Sequence, residues 1–95
     1  MTSAIEINGI ETTNNWRFFR LEKGGPLSKD GTVDVVVSVF EGSPPRVPSE
    51  VRIFERGSNG RLKDASNWLY EEVGHTDHER CLRGAGYDLK KEGPP

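Results

Sequence analysis

The segment Thr32–Phe40 constrains this chain more than any other. Val33, Val35, Val37 and Val39 recur at every second position, and Asp34, Val36, Ser38 and Phe40 fill the places between. A period of two is that of an extended strand, whose successive side chains point to opposite faces. Four β-branched residues on one face suit a pleated surface and disfavour a helix, where their χ1 freedom is lost against the preceding turn. A strand with one dry face needs a layer to cover it, so the segment demands a sheet packed against something.

Neighbouring segments supply the sheet. Ala4–Ile10 carries Ile5 and Ile7 in alternation before Asn8-Gly9, a turn or bulge signal. Trp16–Glu22 is rich in aromatics and suits a second strand. Val51–Arg56 alternates again and reads as a strand after the valine run, in preference to a helix starting at Ser49. Between these runs, Pro44, Pro45 and Pro48 each fix φ and remove a backbone donor, which predicts a stiff, extended loop over 41–48.

After Lys63 the period changes. Ala65, Trp68, Leu69 and Val73 fall at i, i+3, i+4 and i+8, the stripe of an amphipathic helix, with Asp64 or Ser66 to cap it and Gly74 to end it. The same stretch also alternates, Leu69, Glu71 and Val73 against Trp68, Tyr70 and Glu72, which is the strand alternative. Thr76-x-x-Glu79 has the form of a capping box opening a second short helix, with Cys81, Leu82 and Ala85 on its apolar side and Gly84 and Gly86 limiting its length. From Lys90 onward the reading is a tail without regular structure.

Strands first and helices last is the pattern of an α+β domain. The expectation is a small three- to four-stranded, mostly antiparallel sheet followed by one or two C-terminal helices packed on one face. The Val33–Val39 face should meet Trp68, Leu69 and Val73. With 95 residues there is room for one core, so residues 1–92 are read as a single domain and 93–95 as a frayed tail.

Composition narrows function by exclusion. Thirteen basic residues against fifteen acidic ones, a net charge of −2, is unlike a strongly basic nucleic-acid binder. No apolar run is long enough to span a membrane, and the N-terminus reads as no secretory leader. Cys81 is the sole cysteine, whereas a thin-cored secreted domain usually carries several, so the expected location is cytoplasmic.

No segment carries a complete catalytic or cofactor motif, and no cofactor is expected. His75, His78 and Cys81 recur every third residue and are the nearest approach to a metal-ligand set. However, the spacing is neither HExxH nor a CxxC pair, and Gly74 interrupts the run. A Cys81–His78 nucleophile pair lacks an oxyanion site, so a zinc- or thiol-dependent enzyme is the minor alternative. Gly57–Lys63 and Arg83–Tyr87 contain glycines beside basic residues but complete no phosphate-binding motif.

The remaining signal is a binding surface. Trp16-Arg17-Phe18-Phe19-Arg20 interleaves aromatics and arginines, and Arg52 and Arg56 alternate with Val51 and Ile53. Five basic residues against two acidic ones lie in 46–63, and five acidic residues lie in 64–79. Exposed aromatics beside arginine anchor protein interfaces. The expectation is a non-catalytic protein-binding module (an adaptor, an immunity-like partner or an inhibitor of a larger complex) with Trp16, Arg17, Phe19, Arg20, Arg52 and Arg56 as contact residues. Binding of single-stranded nucleic acid on the same surface is the alternative, since bases stack on the same side chains. Self-association through a free sheet edge is compatible with either.

Overall fold

The valine segment forms the third strand of a larger sheet than its neighbours alone would build. The computed structural model describes residues 2–7, 15–43, 45–57 and 67–90. In chain order the elements are β1 (Thr2–Glu6), β2 (Trp16–Leu21), β3 (Val33–Phe40), β4 (Glu50–Glu55), β5 (Tyr70–Val73), α1 (His78–Gly84) and β6 (Tyr87–Lys90). The sheet order is β5-β4-β3-β2-β1-β6. Neighbours pair antiparallel except β1 and β6, which are parallel, with Thr2 opposite Tyr87 and Ile5 opposite Lys90.

This corrects the expected architecture. Among the described residues the sheet has six strands, is mixed and curls into a half-barrel, and one short helix accompanies it. Two segments account for the difference. Tyr70–Val73 is an edge strand against β4, with Glu71 opposite Arg52 and Val73 opposite Glu50. The helical stripe through Trp68, Leu69 and Val73 is therefore not used, and Ala65 and its capping residues Asp64 and Ser66 lie outside the described residues, as do the Asn8-Gly9 turn signal and positions 58–63 of the Gly57–Lys63 segment. Tyr87–Lys90, read in part as tail, closes the other side of the sheet against β1, and residues 91–95 lie outside the described set. The 41–48 loop is not extended throughout: Ser43 and Val47 pair across a turn, and both Arg46 and Val47 donate their N–H groups to the Ser43 carbonyl.

The inner face carries the main core. Val35, Val37 and Val39 lie with Phe19, Leu21, Val51 and Ile53 and are covered by Cys81, Leu82, Ala85 and Tyr87. Val35 and Val37 are fully shielded, as a central strand with one dry face requires. The cover, though, is α1 and β6, whereas Trp68, Leu69 and Val73 remain exposed. Cys81, Leu82 and Ala85 project from one side of a helix of about two turns, so seven residues suffice as a lid. Its start is set by Asp77, whose carboxylate accepts the N–H groups of Glu79 and Arg80 at 3.0 and 3.1 Å. The cap thus sits one residue later than the Thr76 box implied.

Tyr87 anchors the closing strand. Its ring lies against Gly25 so closely that a Cβ there would overlap it. Ser28 Oγ donates to the Glu22 carbonyl at 2.6 Å, so at 2.9 Å the Tyr87 hydroxyl donates to Ser28 Oγ while accepting the Leu27 N–H at 2.8 Å. A buried phenol is thereby satisfied by the β2–β3 connection, and β6 is held at both its face and its edge.

Candidate functional site

The outer face of β3, β4 and β5 presents the densest arrangement of exposed rings and charges. Pairing register puts Trp16, Ser38, Arg52 and Glu71 in one row across β2–β5, and Phe40, Glu50 and Val73 in the next. Arg52 is the hub. Its Nε donates to Glu71 Oε2 at 2.6 Å and its Nη2 to Glu50 Oε2 at 2.7 Å. Its guanidinium lies 4.0 Å from the Trp68 ring centroid and 5.1 Å from that of Phe40. Phe40 in turn meets Phe54 edge-on, at 6.4 Å between centroids and 66° between planes. Two carboxylates fix the guanidinium in its plane and two rings fix it from the sides, so Arg52 pre-orders both aromatics. Phe40, Trp68 and Val73 are still 42%, 39% and 52% exposed.

The six residues expected to form one surface are divided between the two faces. Trp16, Arg20, Arg52 and Arg56 are on the outer face. Arg17 and Phe19 point inward, because strand alternation separates them from Trp16 and Arg20. Phe19 is a core residue. Arg17 sits 5.3 Å over the Phe19 ring and grips Glu6 with two hydrogen bonds of 2.7 and 2.8 Å, reaching Glu79 at 3.3 Å. Those bonds hold the Glu6 carboxyl below its ordinary pKa and raise that of Arg17. Arg20 pairs with Asp34 through contacts of 2.8 and 3.2 Å and lowers its pKa. Arg56 lies 5.5 Å from the Phe18 ring, and among the described residues no acceptor reaches its buried Nε.

Folding also undoes part of the charge segregation seen along the chain. Glu71, from the acidic stretch, is brought opposite Arg52, from the basic one. The outer face therefore has Arg20, Arg52 and Arg56 alongside Asp34, Glu50 and Glu71, a balanced set. Phe40 and Trp68 were not among the expected contact residues. Alternation along 67–73 did not signal Trp68: it groups that ring with Tyr70, which packs against the core, whereas Trp68 precedes β5 and lies over Arg52 on the outer face.

The His75–Cys81 stretch is dispersed among separate structural roles. Asp77 N–H donates to His75 Nδ1 at 3.0 Å, so the opposite ring nitrogen carries the proton and donates to Glu72 at 2.8 Å. Glu72 also accepts the Tyr70 hydroxyl at 2.6 Å, which pushes that phenol up to about 12. Burial raises the pKa of Glu72, but the hydrogen bonds from Tyr70 and His75 outweigh it and the net shift is downward. This carboxylate rests against Gly84, where any Cβ would collide with it, so β5 is latched to the end of α1. His78 contacts the Asn15 carbonyl at 2.9 Å. Cys81 is buried with its sulfur 3.8 Å from the Val51 carbonyl, and burial pushes its thiol up to about 12, which suits packing and not nucleophilic attack. Among the described residues no three His, Cys, Asp or Glu side chains are grouped to hold a metal ion.

Compared with known protein families, characterised proteins and solved structures, the chain matches none. No helix among the described residues is long and apolar enough to cross a membrane.

Proposed function

We propose that this chain is a non-catalytic protein-binding module whose contact surface is the outer face around Arg52. The observation that carries the reading is the Trp68–Arg52–Phe40 stack: two exposed rings held in place by a guanidinium that is itself fixed by Glu50 and Glu71. Aromatic and arginine side chains dominate interface energetics, and rings already immobilised lose less entropy on association. Val73 and Trp16 extend the patch along its two flanks. The partner is a protein presenting an apolar surface ringed by polar groups. Cys81, unpaired and buried, is at home in a reducing compartment, and the cytoplasm is the proposed location.

The even charge of the outer face disfavours the nucleic-acid alternative. Phosphate binding draws on cations free to replace condensed counterions, yet Arg20 and Arg52 are each engaged by a carboxylate. Immobilised wild-type protein should retain a protein partner from lysate that the Phe40→Ser/Trp68→Ser double variant loses. Tryptophan fluorescence should stay unchanged on titration with short single-stranded oligonucleotides at low salt. Equal retention by the double variant would remove the proposed surface, and a salt-sensitive fluorescence change would favour nucleic acid.

A further inference from the structure

Among the described residues no strand pairs beyond either end of the sheet order, and the two edges are unlike. β5 ends one side with Tyr70-Glu71-Glu72-Val73, and β6 ends the other with Tyr87-Asp88-Leu89-Lys90. An edge strand offers unpaired N–H and C=O groups to any strand that can align with it. Whether a second copy can do so depends on what a twofold axis sets opposite what.

At β5 the answer is unfavourable. A twofold through Glu71 or through Glu72 opposes carboxylate to carboxylate, and like charges directly opposite destabilise a strand pair. The edge is protected by its own sequence. At β6 a twofold through Leu89 sets Asp88 opposite Lys90 of the second copy, and Lys90 opposite Asp88 of the second copy. Both side chains are exposed and lie on the same face of the strand. Leu89 meets its own counterpart on the other face. That residue is only partly buried within its own chain, where it borders a cavity of about 290 Å³ with Ala4, Arg17 and Phe19.

We propose that β6 is a homodimerisation edge, in which two copies pair antiparallel about Leu89 and join their sheets. The occupant is a second copy because one register satisfies both charges twice and covers the half-buried leucine. The interface is short, one four-residue strand from each copy, so the dimer dissociates readily on dilution. This inference is independent of the outer-face surface, which lies at the opposite side of the sheet order.

Sedimentation equilibrium from micromolar to millimolar concentration tests it. Wild-type protein should show reversible monomer–dimer exchange. Asp88→Lys and Lys90→Glu should each weaken it by about tenfold or more, because each places like charges opposite one another. An equimolar mixture of the two variants should restore dimerisation, since lysines of one then face carboxylates of the other. Far-UV circular dichroism checks that both variants keep the fold. Glu71→Lys should leave self-association unchanged. A wild type that stays monomeric at millimolar concentration overturns the proposal, as do variants that dimerise like wild type or a folded mixture that remains monomeric. If either variant misfolds, wild-type salt dependence decides: the dimer must weaken as salt rises, and indifference to salt counts against it.

Discussion

The two faces of one sheet solve the same packing problem by different means. On the inner face, Val35, Val37, Phe19 and Ile53 are covered by Leu82, Ala85 and Tyr87, and shape complementarity carries the energy. On the outer face, Phe18, Val36 and Phe54 are buried too, but charged side chains lie across the aromatics: Arg56 over Phe18, and Arg52 between Phe40 and Trp68. Long cationic side chains can cover apolar surface with their stems and ring faces with their heads. The difference is that apolar cover closes the inner face, whereas the outer face leaves Phe40 and Trp68 partly exposed beside its buried residues.

Substitutions can break or sharpen that contrast. Ile53→Ala, on the inner face, should cost about 3 kcal/mol in denaturant unfolding, the range for a fully buried aliphatic cut back to a methyl. Tyr87→Phe keeps the ring but leaves the Leu27 N–H without its acceptor and removes the donor to Ser28. The expected loss is about 2 kcal/mol, and a change near zero would show that water repairs the site. Arg52→Ala should cost about 1 kcal/mol, since its ion pairs are partly solvated and its stacking is modest. A loss there as large as for Ile53→Ala would erase the distinction between faces. Trp68→Ala should change stability by less than about 0.5 kcal/mol while abolishing partner retention, because exposed rings contribute little to folding.

Acid provides a further probe. Glu6, Asp34, Glu72 and Asp77 all have folded-state pKa values below their ordinary ones. The unfolded chain therefore takes up protons first as pH falls. The stability these groups supply is complete above the ordinary carboxylate range and is lost progressively below about pH 4 as the folded-state values are passed. Raising the pH acts through Cys81 and Tyr70, whose pKa values are raised when folded: the unfolded chain loses those protons first, and stability declines above about pH 9.

The strands with the longest clean alternation were legible in the sequence, and β3 was the plainest. Residues 70–73 were ambiguous for a physical reason: four residues cannot separate a period of 2.0 from one of 3.6, and what decides is Glu71 meeting Arg52, a contact from another strand. Tyr87–Lys90 left no local trace, since Asp88 and Lys90 face solvent and its pairing partner lies far away in the sequence. The candidate site was half legible. Strand alternation divides Arg17 and Phe19 from Trp16 and Arg20, a division that the single expected surface overlooked, and the stack on Arg52 depends on β5 and could not be read before that strand was placed.

The parallel pairing of β6 with β1 has a consequence for how the protein comes to be folded. It joins residues more than eighty positions apart, with the strand that supplies Tyr87 emerging from the ribosome after the other five strands of the sheet. Non-local pairings must overcome loop-closure entropy before any contact repays it. The β2–β3–β4 meander can assemble while synthesis continues, but its inner face stays uncovered until α1 and β6 arrive. The nascent chain therefore passes through an interval with a valine-rich face bare, when unpaired strand edges and exposed apolar side chains favour aggregation.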